Sequence, residues 1–284
     1  MYDLFDLEGR DFKIKGYHFP CENPKKVVVL IHGIGEHDGR YQHVAERFNE
    51  AGIAMVGMDL RGHGRTDGVR GDAFPRAEIF GDIDALIEYA MKLYPGVPVI
   101  MYGHSMGGNI VCDYRARGAK NDIMEKYLIS APWIRLVKPI TGVLLKAVTL
   151  LSKIAPKAKI NSNCDESDLG NLSCVKPYKD DPMVHPYITL RTAVQGFTIG
   201  GSLENGVNER NGRTDNIPTL VMHGTCDKIC DIKGTESYIA HAKERKENIE
   251  FIPWEGYYHE IHNGGKDIPN GEAVISKMIE FILA

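Results

Sequence analysis

The chain has 284 residues, about twice the usual domain length, which leaves room for two domains or for one large α/β domain with an insertion. Hydrophobic residues at 43% and charged residues at 25% exclude disordered, collagen-like and fibrous classes, and a chain of this size buries enough surface to need neither disulfides nor metal in its core. Thirty-four Lys and Arg against 38 Asp and Glu give a net charge of −4, without the basic footprint of a nucleic-acid binder.

The N-terminus carries Asp3, Asp6, Glu8, Arg10, Asp11, Lys13 and Lys15, too dense a charge for the apolar heart of a signal peptide. No stretch of about 20 apolar residues follows, so no transmembrane helix is expected and the reading is cytoplasmic. Residues 11–19 read as an antiparallel start. From residue 26 onward, apolar strand-length runs at 27–31, 54–58, 97–102, 127–130, 219–222 and 250–253 alternate with helical patterns at 41–50, 78–93, 106–117, 234–245 and 272–283. Val27-Val28-Val29-Leu30-Ile31 is the cleanest run, and it suits a strand covered on both faces. Alternation of this kind predicts an α/β fold with a mostly parallel sheet between helices.

The alternation breaks once. About 85 residues separate Pro132 from the strand at Thr219, too long for a structureless loop, so an inserted subdomain is expected. Its first part, 133–160, holds Arg135, Lys138, Lys146, Lys153, Lys157 and Lys159 and no Asp or Glu. Val143, Leu144, Ala147, Val148, Leu151 and Ile154 recur near helical spacing. Two readings follow: a helix packed on its parent domain with its lysines in water, or a lid that touches an acyl chain or an anionic interface.

The cysteines Cys21, Cys112, Cys164, Cys174, Cys226 and Cys230 lack a framework spacing and read as free thiols. Cys226 and Cys230 have no second pair to complete a zinc set. His259-Glu260-Ile261-His262 places its histidines at i, i+3 rather than the i, i+4 of a zinc peptidase. Gly33-Ile34-Gly35 lacks the third glycine of a dinucleotide fingerprint. Asp59 and Arg61 are spaced to form an ion pair bracing their loop, or to stand apart in solvent.

Gly103-His104-Ser105-Met106-Gly107 matches G-x-S-x-G between a predicted strand and a predicted helix. A sharp turn there lifts the serine hydroxyl out of the sheet, glycines remove clashing side chains, and the helix N-terminus adds positive potential. Serine needs a base, and the base an orienting acid, in the chain order Ser, Asp or Glu, His. Of the histidines well beyond Ser105, His185 falls in the insertion, His223 precedes the acid and His241 lies mid-helix. His259 follows the strand 250–253, with His262 the close competitor. Asp227 follows the strand 219–222, with Asp231 four residues on as the runner-up. Backbone N–H groups of Ile34, after the first parallel strand, and Met106, after the nucleophile, are the candidate oxyanion donors.

Five motifs then occur in one order: His32-Gly33-Ile34-Gly35-Glu36-His37 with Gly39-Arg40-Tyr41; Asp59-Leu60-Arg61-Gly62-His63-Gly64; Gly103-His104-Ser105-Met106-Gly107-Gly108; His223 to Asp231; and Tyr258-His259-Glu260-Ile261-His262-Asn263. In this the chain resembles the monoacylglycerol lipase and lysophospholipase group of the α/β-hydrolase superfamily. The resemblance implies Ser105 as nucleophile, Asp227 as acid, His259 as base, and the amides of Ile34 and Met106 as the oxyanion hole. It implies a core of residues 1–132 and 217–284, a mainly helical cap at 133–216, and no cofactor or metal.

The implied substrate is a monoacylglycerol or related lysolipid, with peripheral membrane or micelle contact through the cap. The same triad also serves short-chain and hydroxycinnamoyl (feruloyl-type) esters. A non-catalytic binding protein on this fold is the reading from another class, and a peptidase is less favoured because no acidic cluster in the sequence awaits a substrate amine. Two positions depart from the group's pattern. Thr66 replaces a serine, and Gly264 stands where a Glu commonly supports the base.

Overall fold

The elements run β1 (Asp3–Glu8), β2 (Lys13–Phe19), β3 (Lys26–Ile31), α1 (Gln42–Glu50), β4 (Ile53–Met58), α2 (Arg76–Leu93), β5 (Val99–His104), α3 (Met106–Arg117) and β6 (Lys126–Ser130). They continue with α4 (Gly142–Ile154), β7 (Lys159–Asn161), β8 (Tyr187–Thr189), α5 (Leu190–Glu204), β9 (Thr219–Gly224), α6 (Ile232–Glu244), β10 (Ile249–Trp254) and α7 (Glu272–Leu283). This is a computed structural model, and it describes residues 1–140, 142–162, 165–171, 173, 177–265 and 267–284.

The unbroken apolar run of β3 is divided by the two-residue period of a strand. Val27, Val29 and Ile31 enter one core cluster, with Ile83 and Leu86 of α2 and Ile110 and Tyr114 of α3. Val28 and Leu30 enter the other, with Val44 and Phe48 of α1 and Val274 and Met278 of α7. Both faces are therefore covered, and β4, β5, β6 and β9 are buried along their whole length. The eight-stranded sheet has the order β1-β2-β4-β3-β5-β6-β9-β10. Pairs from β4 through β10 are parallel, and the antiparallel β1 and β2 pair against β4 at one edge. β1 is absent from the sequence reading because its three acids mask a single inward Leu7.

Between β6 and β9 the chain leaves the sheet to build α4, the two-stranded β7–β8 ribbon and α5. None of the residues of α4 is buried, and Val143, Leu150 and Ile154 are 83%, 62% and 77% exposed. The expected apolar stripe is thus present, but it does not pack on the parent domain. α5 does: Asn109 of α3 donates to Gly196 O at 3.4 Å, and Gly196 also faces the Trp133 ring, where an added Cβ would come within 2.7 Å. Among the described residues no helix is long and apolar enough to cross a membrane.

The supposed Asp59–Arg61 pair does not form. Asp59 turns inward and accepts from the amides of Arg65 at 2.7 Å and Asp38 at 3.2 Å. Arg61 instead lies against α2, where it holds Asp82 through two N–H groups at 2.6 and 2.9 Å. Among the described residues Cys21, Cys112, Cys226 and Cys230 form no disulfide, while Cys164 and Cys174 lie outside them.

Candidate active site

Parallel strands deliver their following loops to one edge of the sheet, and in such sheets sites form beyond the carboxyl ends. Here the loops after β3, β5, β9 and β10 meet. Ser105 sits in the turn from β5 to α3 with φ 56° and ψ −117°, a left-handed conformation that costs a non-glycine residue of order 1–3 kcal/mol. Main-chain bonds hold it there: its N–H donates to Ser130 O at 3.1 Å, and its carbonyl accepts from Asn109 N and Trp133 N at 3.0 and 2.9 Å. Gly107 is required by close approach, since a Cβ would lie 2.0 Å from the Ile31 carbonyl oxygen.

His259, past β10, stands with Nε2 2.8 Å from Ser105 Oγ and Nδ1 2.7 Å from Asp227 Oδ2. A carboxylate only accepts, so Nδ1 carries the proton and Nε2 is left to accept from the serine hydroxyl. Asp227 Oδ1 accepts from the amides of Ile229 and Cys230 at 2.7 and 2.9 Å. His223 Nε2 lies 3.0 Å from Oδ2. Burial alone would raise the Asp227 carboxyl, but the His259 and His223 rings outweigh it and hold it well below the usual carboxylate range. Burial likewise disfavours a charged His259, yet the Asp227 carboxylate, with Glu260 and Glu36 further off, raises it above an ordinary histidine.

The competing residues have other work. His262 packs on Tyr41, ring centres 4.9 Å apart, and burial keeps it neutral. Asp231 caps α6 through the Lys233 amide and pairs with Arg135 at 3.0 Å. His185 reaches Gly62 O, and His241 pairs with Glu244 on the surface.

The loop after β3 runs beside Ser105: a Cβ on Gly33 would lie 3.1 Å from Ser105 Cβ. His32 Nε2 accepts from the Leu60 amide at 2.9 Å, which places its proton on Nδ1, 2.7 Å from Gly33 O. That contact brings the Asp59-to-Gly64 motif to the loop. Gly33 C=O and Ile34 N–H belong to one planar peptide and point opposite ways, so this bond also aims the Ile34 N–H. Met106 opens α3, where its N–H has no intrahelical acceptor.

Two cavities meet at Ser105 and Ile34. One, of about 370 Å³, is lined by Glu36, Tyr178, Lys179, Asp181, His185 and Glu260, among others. The second, of about 320 Å³, is mostly apolar, with Trp133, Leu136, Ile140, Ile188, Phe197 and Ile229 on its walls. The first gathers four carboxylates, Glu36, Glu166, Asp181 and Glu260, that the sequence did not suggest as a cluster, but each already has partners, Glu166 through the Tyr178 amide at 2.7 Å. Glu260 accepts from Tyr178 OH and from Asn263 Nδ2 at 2.6 Å; Asp181 lies 3.0 Å from His37 Nε2; Glu36 accepts from Gly33 N and Tyr41 OH. Burial, then repulsion from Glu260, pushes the Glu36 carboxyl up to about 7.

Glu36 and Glu260 lie inside recognised motifs whose backbone or spacing drew the attention. Tyr178, from the insertion, had no signal at all. At Gly264, φ is +89° and a Cβ would lie 2.4 Å from Ile268 O, so a glutamate does not fit this backbone. Among the described residues, Asp227, Cys230 and His259 are the one group spaced to hold a metal ion. Both His259 nitrogens are already committed to Asp227 and Ser105.

A family model described as serine aminopeptidase S33 matches residues 22–265. A monoacylglycerol lipase of Mycolicibacterium smegmatis is 33% identical over 244 residues, covering 86% of this chain and 84% of that protein. The monoglyceride lipase of Homo sapiens is 28% identical over 257 residues, 89% of this chain and 82% of its own. The crystal structure of a soluble variant of monoglyceride lipase from Saccharomyces cerevisiae, bound to a substrate analogue, superposes with a TM-score of 0.84 at 25% identity, covering 99% of this chain and 94% of that one. The chain therefore belongs to the serine aminopeptidase S33 family and, within the α/β-hydrolase superfamily, to the monoacylglycerol lipase group of lipid-ester hydrolases.

Proposed function

We propose that the protein hydrolyses monoacylglycerols or related lysolipids through a Ser105–His259–Asp227 triad and an acyl-enzyme. The observation that carries this reading is the meeting of an apolar cavity and one that bears charged side chains at a serine oxygen 2.8 Å from an imidazole nitrogen. An acyl chain enters the Trp133–Phe197 side, and the alcohol lies against Glu36 and Tyr178. His259 takes the hydroxyl proton as Ser105 Oγ attacks the ester carbonyl, and Asp227 stabilises the imidazolium. The Ile34 and Met106 amides receive the oxyanion. The same imidazolium then protonates the departing alcohol, and water activated by His259 releases the fatty acid.

Competitive hydrolysis of 2-monoolein, lysophosphatidylcholine, triolein, p-nitrophenyl butyrate, methyl ferulate and an aminoacyl nitroanilide tests the substrate class. Monoolein is expected to lead, and a rate maximum on acyl groups shorter than about four carbons, or on the ferulate, removes the lipid reading. Failure of a fluorophosphonate to label Ser105 in folded protein favours a binding module instead.

The exposed face of α4 supports contact with a lipid surface. Residues 133–160 carry six basic side chains and no acid, next to uncovered Val143, Leu150 and Ile154. Each lysine near an anionic surface contributes about 1 kcal/mol, screened by salt. Binding to anionic vesicles at low ionic strength is expected, and replacing Lys146 and Lys153 by Gln should weaken it about 30-fold. No co-sedimentation at low salt eliminates this contact.

A further inference from the structure

Glu36 takes no part in the proton transfers above, and beyond facing the alcohol it bonds to the turn that carries one of the oxyanion donors. Its Oε1 accepts from Gly33 N–H at 2.6 Å and from Tyr41 OH at 3.0 Å, and the residue is 3% exposed. Position 33 must be glycine, because a Cβ would meet Glu36 Oε1 at 2.7 Å and crowd Ser105 Cβ at 3.1 Å. Glycine, however, has the freest backbone of any residue, and Gly35, with φ +76°, follows two residues later. The Ile34 amide therefore sits between two flexible links. Its aim depends on what holds the peptides around it.

The two peptide groups that flank the Gly33 Cα are gripped from opposite sides. His32 Nδ1 holds the Gly33 carbonyl at 2.7 Å, and Glu36 holds the Gly33 amide. Beyond Ile34, the His185 amide donates to Gly35 O at 2.9 Å. With both peptide planes at Gly33 fixed, φ and ψ of that residue are fixed too, and with them the direction of Ile34 N–H. Tyr41, stacked on His262, in turn steadies the carboxylate.

We propose that Glu36 is a positioning residue for the oxyanion hole, closing the turn onto the Gly33 amide so that Ile34 N–H faces the reacting carbonyl. The proposal rests on the triad and oxyanion reading above. It assigns to Glu36 a role through the loop, separate from contact with the alcohol in its cavity. Removing one oxyanion donor from alignment costs roughly 10²–10³ in kcat.

Glu36→Ala is expected to lower kcat on monoolein about 100-fold, to change KM less than about threefold, and to speed amide exchange across residues 32–37. Glu36→Gln keeps a carbonyl oxygen for the Gly33 amide and should recover at least about tenfold of that loss. A loss expressed in KM rather than kcat makes Glu36 an alcohol contact and overturns the proposal. So does a folded Gln variant no better than Ala. The exchange measurement needs no turnover, so unchanged exchange in the Ala variant brings down Glu36 alone. Absence of fluorophosphonate labelling at Ser105 in the wild-type protein brings down the triad, a distinct result.

Discussion

Ser105→Ala is expected to lower kcat on monoolein by roughly 10⁵–10⁶, because nucleophile, base and acid act as a unit and the variant keeps only binding and oxyanion contacts. The fold should not suffer. The strained turn is held by main-chain bonds to Ser130, Asn109 and Trp133, and alanine preserves all three. What is lost is one hydroxyl and its bond to His259 Nε2. The melting temperature should therefore stay within about 3 °C of the wild type. Measuring turnover and melting on one preparation separates chemistry from folding. A folded variant that retains more than a few per cent of activity rules out Ser105 as the nucleophile.

Asp227→Asn should cost about 10⁴ in kcat/KM at neutral pH, and the reason is the direction of its bonds. The Ile229 and Cys230 amides both donate to Oδ1, so the carbonyl oxygen of an asparagine must occupy that place. Its NH₂ then faces His259 Nδ1, which becomes an acceptor and moves the ring proton to Nε2. An Nε2 that carries a proton accepts nothing from Ser105.

The pH profile carries the same information. In the proposed mechanism the neutral ring is the base, so activity is expected to fall as pH drops through the His259 pKa. Asp227 raises that pKa, so the acid limb of wild-type kcat/KM should lie above the ordinary histidine value near 6.5. Residual activity in the Asn variant should have its limb at lower pH. An unmoved limb, or more than a tenth of wild-type activity, would mean that another carboxylate orients the ring.

The sheet was legible because burial on both faces leaves a plain mark. Val27-Val28-Val29-Leu30-Ile31 has no polar alternation to confuse it, and the Ser105 turn lay at the junction the strand and helix patterns predicted. The insertion hid for physical reasons. β7 and β8 are three residues each, too short to show a period. α5 contains Gly196, Gly200, Gly201, Thr192 and Thr198, poor helix formers by intrinsic propensity. Two of those glycines serve packing instead, Gly196 against the Trp133 ring and Gly200 against Ile134 O. The periodicity of α4 was real, but period alone does not say what covers a face. Asp59 and Arg61 failed as a pair because each found a nearer partner across the fold, in Arg65 and Asp82.

Among the contacts between the insertion and the loops around Ser105, three involve Leu169, His185 and Arg191. Leu169 O receives the Glu260 amide at 2.6 Å beside His259, His185 N reaches Gly35 O, and Arg191 with Thr189 grips Asp72. Exchanging this segment for that of another esterase, a natural route to altered selectivity, is therefore not a free swap of one module for another. A chimera that changes what enters the pocket but omits these contacts would inherit a new preference together with a slackened catalyst. Grafts that copy Leu169, His185 and Arg191 into the donor segment are the ones that should stay fast.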